Sequence, residues 1–244
     1  MKKKKILLIV IAVLLVALAV AVPCVLLSWG ILPVVPAEVV PQEGDVRIAC
    51  VGDSITFGML VWGWPKKNYP TKLGHYMGKG YSVNNYGCSG ATASPVGDQP
   101  YVEEQVYSLS LDFQPNIVVI MLGSNDSKPH NWTNMEDYKR YYGELIDTYL
   151  ALDSVEQVFI MTPPPVFPVG GKVGYSINGD LIKGEINQAV RALASEKGLQ
   201  LIDLYSVFEG HPELFDDGLH PNAEGATLLA QTVGEAIQQY VEGK

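Results

Sequence analysis

Short apolar runs rich in β-branched residues alternate with longer stretches of helical spacing from residue 46 onward. The runs predict five strands, at 46–51, 81–86, 116–122, 157–161 and 199–202. The stretches between them predict helices at about 69–77, 102–111, 135–150 and 181–196, and a last helix follows at about 222–240. Repetition of strand, helix and strand is typical of a mostly parallel sheet with helices on both faces. The pattern therefore predicts one α/β domain over 46–244.

An uncharged apolar segment precedes this domain. Four lysines at positions 2–5 are followed by an apolar run from residue 6 to residue 27, which is long enough to span a bilayer. We expect an N-terminal transmembrane helix within residues 1–32, in a single-pass protein of the cell membrane whose folded domain lies outside the cytoplasm. The alternative is a secretory signal peptide, cleaved near the small residues at 19–21, which would leave a secreted protein. Residues 33–45 contain three prolines and no periodic apolar pattern, which predicts an extended linker.

The domain is strongly acidic. The formal net charge of the chain is −9, and the four N-terminal lysines are the only charged residues before position 33, so residues 33–244 carry −13. A surface of this sign repels phosphate backbones, which excludes nucleic acid as a partner. No histidine or cysteine pair has metal-site spacing, so the sequence predicts neither a metal nor a cofactor. We interpret Cys50 and Cys88 as free thiols, with a disulfide as the alternative.

Glycine-rich and polar loops follow the predicted strands. The segments 52–54, 87–92 and 123–126 follow the first three strands, and a proline-rich loop begins at Thr162 after the fourth. Ligands of open α/β sheets bind just beyond the carboxyl ends of the strands. We therefore expect these four loops to form one site at that edge of the sheet.

Ser54 has the partners that a nucleophilic serine requires. A hydroxyl is a weak nucleophile until a base takes its proton, and that base needs an acceptor that orients it. Among the four histidines, only His220 has a carboxylate three residues before it, that of Asp217. We predict a triad in which Asp217 orients His220 and His220 activates Ser54.

Donors for an oxyanion are available in the same loops. Attack on an ester carbonyl creates a negative oxygen that preorganised N–H groups stabilise. We assign this role to the backbone N–H of Ser54, the backbone N–H of Gly90 and the side-chain amide of Asn125. Glycines in these loops let the backbone turn sharply and approach a substrate closely.

Four ordered blocks of the chain resemble those of the GDSL, or SGNH, hydrolase family. They are GDSI at 52–55, GCSGAT at 87–92, GSND at 123–126 and DGLHPN at 217–222. The resemblance extends from about residue 46 to residue 241, and Ile55 replaces the leucine of the family name, a conservative change. It implies a flavodoxin-like three-layer α/β/α sandwich with a mostly parallel five-stranded sheet. It also implies the roles given above for the triad and the oxyanion donors.

Three residues beside the predicted triad are candidates for substrate contact. Asp53 precedes the nucleophile, Trp62 lies in the loop that follows it, and His130 lies in the loop after the third strand. Trp62 and its neighbour Trp64 suit an aromatic platform for a sugar or acyl chain, or a packed lid. His130 is equally explained as a surface residue of its loop. We assign Asp126 to closing a turn.

The segment 120–129, together with Trp132, resembles bacterial family members described as sialate or carbohydrate O-acetylesterases. We expect a serine esterase that hydrolyses small-molecule or glycan esters, foremost O-acetyl groups on carbohydrates, through an acyl-enzyme. A lysophospholipase or short-chain acyl esterase is the enzymatic alternative. A glycan-binding module without activity is the alternative of another class, and the complete set of Ser54, Asp217 and His220 argues against it.

Overall fold

A five-stranded parallel sheet forms the centre of the protein. The computed structural model describes residues 2–32 and 34–243, with the side chains of residues 2–9 and 12 excepted. The sheet has the order β2-β1-β3-β4-β5 and every neighbouring pair is parallel. Its strands are β1 (Val46–Gly52), β2 (Tyr81–Gly87), β3 (Ile117–Met121), β4 (Gln157–Met161) and β5 (Gln200–Ile202). All five strands were predicted, and their bounds differ from the prediction by at most one residue.

The central strands are buried because helices cover both faces of the sheet. Every residue of β3 is buried, and in β4 only the first residue is partly exposed. Continuous apolar, β-branched runs are typical of such strands, since both sets of alternating side chains point into a core. In β1, Ala49 and Val51 belong to one core cluster, whereas Ile48 and Cys50 belong to the other.

The helices follow the strands in the expected alternation. They are α1 (Lys2–Ser28), α2 (Ser54–Phe57), α3 (Trp64–Lys67), α4 (Tyr69–Met77), α5 (Gln105–Asp112), α6 (Met135–Leu150), α7 (Gly179–Leu181), α8 (Asn187–Lys197), α9 (Leu204–Phe208) and α10 (Ala223–Glu242). Helices α4 and α6 have the predicted bounds. The helix predicted at 181–196 is divided by a π-helical turn, Ile182–Ile186, and the short helices α2, α3 and α9 were not predicted.

Two core clusters define three layers. Side chains of α5, α6 and α8, among them Tyr142 and Val190, pack with one face of the sheet. Side chains of α4, α9 and α10, among them Leu73 and Val233, pack with the opposite face. The result is the α/β/α sandwich that the sequence predicted.

The N-terminal helix α1 precedes this sandwich. Within the described part of the chain, no helix combines the length and the apolar character needed to cross a membrane. The predicted anchor falls partly on residues 1–9 and 12, whose placement or side chains lie outside the described set. The anchor therefore stays a prediction.

The segment predicted as a linker makes specific contacts with the edge strand β2. The backbone N–H of Val39 donates to Oδ1 of Asn84 at 2.6 Å, and Nδ2 of Asn84 donates to the carbonyl of Val39 at 3.2 Å. The hydroxyl of Tyr86 donates to Oε1 of Glu38 at 2.7 Å. Residues 34–45 are thus attached to the sheet at β2, the first strand in its order.

Candidate active site

The first three strands end at the same level of the sheet. Gly52 at the end of β1 is in register with Gly87 of β2 and with Met121 of β3. The backbone N–H of Cys88 donates to the carbonyl of Gly52 at 2.9 Å, which continues the β1–β2 pairing into the loops. The loops after these strands therefore share one edge, as a parallel sheet requires.

Ser54 is the first residue of the short helix α2. The preceding Asp53 is the N-cap, and its Oδ1 accepts from the backbone N–H of Ile55 at 2.9 Å. This cap holds the turn between β1 and α2 in one conformation, because it satisfies a donor that the helix itself leaves unpaired. Ser54 is buried, with 7% of its surface exposed.

Ser54, His220 and Asp217 form a continuous chain of hydrogen bonds. Oγ of Ser54 lies 2.8 Å from Nε2 of His220. Nδ1 of His220 lies 2.7 Å from Oδ2 of Asp217. Both contacts lie within the range of strong hydrogen bonds, and the order of atoms is that of a nucleophile, a base and an orienting acceptor.

Asp217 is fixed by its own loop as well as by His220. Its Oδ1 accepts from the backbone N–H of Leu219 at 3.0 Å and of His220 at 2.7 Å. Burial acts to raise the pKa of Asp217, but the hydrogen bonds and charge of His220 outweigh it and lower that pKa to about 2. The carboxylate is therefore ionised at neutral pH and stabilises a positive charge on His220.

The predicted oxyanion donors lie in two adjoining loops. Gly90 follows β2, and Asn125 begins the 3₁₀ turn after β3. Nδ2 of Asn125 donates one hydrogen to the carbonyl of Ala91 at 3.2 Å, which joins the two loops. An amide carries two N–H donors, so one stays available for an oxyanion. Their roles as oxyanion donors stay predictions.

Asp126 also joins the loops that follow β2 and β3. Its carboxylate accepts from the backbone N–H of Ala93 at 3.0 Å and of Ser94 at 2.9 Å. Burial raises the pKa of Asp126 to about 6 in spite of these donors. This is a structural role like the one assigned from the sequence, although the contacts reach across to the second loop instead of closing a local turn.

Asp53, one of the three residues predicted to contact substrate, is fully buried in this structure. Its side chain has no exposed surface, and burial raises the pKa of Asp53 to about 6. Its carboxylate caps the helix that begins at Ser54 and so helps to fix the backbone before that residue. Substrate contact by Asp53 stays a prediction.

Trp62 and His130 both lie on exposed loops and are held by neighbours. Trp62 is 50% exposed and packs edge to face on Trp29, with ring centroids 5.2 Å apart. Nε2 of His130 lies 2.9 Å from Oδ2 of Asp98. Trp64, by contrast, is buried and stacks on Phe57, which corresponds to the lid alternative for that residue. Substrate contact by Trp62 or His130 stays a prediction.

One residue beside the triad, Tyr175, was not predicted from the sequence. The ring of Tyr175 lies 5.3 Å from the ring of His220, at 85°. Tyr175 belongs to the long loop after β4, and the backbone N–H of Phe167 in that loop donates to the carbonyl of Gly218 at 2.7 Å. The proline-rich start of the loop indicated convergence on the site, but nothing in its sequence singles out the residue that touches His220.

No metal centre is indicated around the triad. Among the residues that the structure describes, no group of three or more His, Cys, Asp or Glu is arranged to hold a metal ion. Cys50 is buried and Cys88 partly buried, and both are free thiols.

Comparisons with known proteins match the region that contains this site. The model of the GDSL-like lipase/acylhydrolase family matches residues 50–228. An acetylxylan esterase from Xylanibacter ruminicola is 33% identical over 216 residues, which cover 81% of this chain and 44% of that protein. The chain thus spans less than half the length of this relative.

Two solved structures share the fold. A candidate arylesterase from Agrobacterium tumefaciens superposes with a TM-score of 0.67 at 21% identity, covering 79% of this chain and 98% of that one. A carbohydrate acetylesterase from Sinorhizobium meliloti gives a TM-score of 0.62 at 20% identity, covering 80% and 99%. At such identities the similarity establishes the architecture alone.

Proposed function

Because this chain belongs to the GDSL-like lipase/acylhydrolase family, we propose that it is a serine esterase that removes acetyl groups from carbohydrates. The observation that carries the proposal is the chain of two short hydrogen bonds from Ser54 through His220 to Asp217. A binding module would have no use for a serine hydroxyl aligned on an imidazole that is itself aligned on a carboxylate.

The reaction follows from these atoms in two half-reactions. Ser54 Oγ attacks the carbonyl carbon of the acetyl group while its proton passes to Nε2 of His220. The carboxylate of Asp217 balances the positive charge on the imidazolium. The tetrahedral intermediate collapses, and the sugar oxygen leaves with the proton from His220. Water then attacks the acetyl-Ser54 ester, with His220 again as the base, and acetate is released.

Support for the acetyl and carbohydrate parts of the proposal comes from the relatives. The acetylxylan esterase that is 33% identical to this chain is named for an acetylated polysaccharide. The structural neighbour from Sinorhizobium meliloti is named a carbohydrate acetylesterase.

Release of acetate from acetylated xylo-oligosaccharide tests the proposal. We expect hydrolysis by the native protein, none by Ser54→Ala, and native rates for Ser195→Ala, since Ser195 is an exposed serine of α8. Unchanged hydrolysis by Ser54→Ala would overturn the nucleophile. Preference for long acyl chains would favour the lipid-directed alternative, and oligosaccharide binding without any turnover would favour the binding module.

A location outside the cytoplasm belongs to the same proposal. The four lysines followed by an apolar run support an N-terminal anchor or a signal segment. If the anchor is retained, the protein stays with membranes through an alkaline carbonate wash. Complete release into the wash would contradict a membrane-spanning anchor.

A further inference from the structure

The loop between β4 and α7 lies against the catalytic histidine. It is attached to the triad loop by the bond from the N–H of Phe167 to the carbonyl of Gly218. Further along, an antiparallel bridge between Val169 and Lys172 closes a small turn, and the 3₁₀ turn Gly174–Ser176 follows. The loop thereby presents Tyr175 to His220.

Tyr175 contacts His220 and is also partly exposed to solvent. Its ring stands at 85° to the ring of His220, with centroids 5.3 Å apart, yet half of the residue is exposed. Its hydroxyl lies near Asp217, and the pKa of Tyr175 is raised by burial and by that carboxylate. Tyr175 therefore offers exposed surface beside His220.

The backbone at this point is held in an unusual conformation. Tyr175 has a φ of 58° and Ser176 a φ of 59°, in the left-handed region that residues with side chains seldom adopt. Strain of this kind is concentrated at binding and catalytic sites, where surrounding contacts enforce it. Here it places a bulky aromatic ring beside His220.

The position of Tyr175 determines which part of the ester it can meet. The leaving alcohol must take its proton from Nε2 of His220, so its oxygen has to lie within hydrogen-bond reach of that atom. Groups packed around His220 therefore border the alcohol side of the substrate. The acetyl side is bordered by the predicted oxyanion donors in the loops after β2 and β3.

We propose that Tyr175 forms a binding subsite for the sugar ring that carries the acetyl group. The exposed aromatic surface packs on the apolar C–H face of a pyranose, and its hydroxyl stays near Asp217. This inference rests on the proposed function and specifies how its substrate's alcohol part is recognised. Tyr175 then raises the affinity for acetylated sugars over acetates of small alcohols.

A ratio of two rates tests the subsite. The measured quantity is kcat/KM on acetylated xylo-oligosaccharide divided by kcat/KM on ethyl acetate, whose alcohol has no ring. We expect Tyr175→Ala to lower this ratio by about tenfold or more, chiefly through KM on the oligosaccharide, which is the size of discrimination that one apolar contact provides. Tyr175→Phe keeps the ring and should keep the ratio. Leu150→Ala, an exposed apolar position at the end of α6 and away from this loop, is the control.

The other outcomes distinguish a failure of the Tyr175 subsite from a failure of the proposed carbohydrate substrate. If Tyr175→Ala loses kcat/KM equally on both esters, the ring only supports His220. If the ratio is unchanged, the sugar does not contact the ring. Either result overturns the subsite but leaves the proposed esterase activity intact. Hydrolysis of ethyl acetate without any action of the native protein on the oligosaccharide would overturn the carbohydrate substrate, and the subsite with it. Oligosaccharide binding to Ser54→Ala, measured by calorimetry with and without Tyr175→Ala, checks the affinity separately from turnover.

Discussion

Substitution of Gly218 should disable the site without touching a catalytic side chain. Gly218 separates Asp217 from Leu219 and His220 and has a φ of 81°. A Cβ at this position would overlap the backbone carbonyl oxygen of Phe167, which cannot rotate away as a side-chain end would. In Gly218→Ala, either the triad loop or the loop that presents Tyr175 has to move.

The size of the effect follows from two separate contributions. Alanine in the left-handed conformation costs about 1–2 kcal/mol of stability wherever it is placed. Relief of the overlap with Phe167 requires a displacement on the order of 1 Å, and misplacement of catalytic groups by that distance costs about 10²-fold in rate. The first contribution affects stability, whereas the second appears in kcat.

Gly210→Ala is the matched control for this variant. Gly210 has a φ of 88°, but a Cβ there would meet no atom within 4 Å. We expect both variants to lose similar stability from the left-handed alanine, and only Gly218→Ala to lose about 10²-fold in kcat on ethyl acetate. Equal activity of the two variants, in folded samples checked by circular dichroism, would refute this account of the triad loop.

Two further predictions concern the carboxylates. Asp217→Asn should lower kcat by on the order of 10⁴-fold while leaving the fold intact, because the amide no longer stabilises the imidazolium; near-native kcat would show that Asp217 is dispensable. Burial raises the pKa of both Asp53 and Asp126 from 3.8 to about 6. Between pH 3.8 and about pH 6 these two carboxyls are therefore more protonated in the folded protein than in the unfolded chain. The free energy of unfolding in urea should therefore fall as pH rises through that window, and Asp126→Asn should make the fall shallower; a rise with pH would contradict it.

The regular part of the fold was predictable because its physical cause is local in the sequence. Helices α4 and α6 have the predicted bounds since one face of each is apolar at helical spacing. The strand β4 is likewise an apolar run of the expected length. The short helix α2 was missed because four residues are too few for a periodic pattern, and its cap residue Asp53 also reads as a turn residue.

The candidate site divides in the same way. The order of blocks around Ser54, Asn125 and His220 predicted the family, and the family match confirms that prediction. The burial of Asp53 and the contact of Tyr175 with His220 were not predictable, because both depend on how distant loops pack over the sheet edge. Likewise, prolines in the segment 33–45 indicate extended backbone but not the bonds of Glu38 and Val39 to β2.

Covalent labelling identifies the nucleophilic residue directly. The protein is treated with a fluorophosphonate, which reacts with activated serine hydroxyls, and the adduct is located by mass mapping of its peptides. We expect a single adduct on Ser54, formed only while His220 is present to take the proton, and loss of esterase activity in proportion to labelling. An active protein that is labelled on a different residue, or that stays fully active with Ser54 labelled, would contradict this expectation.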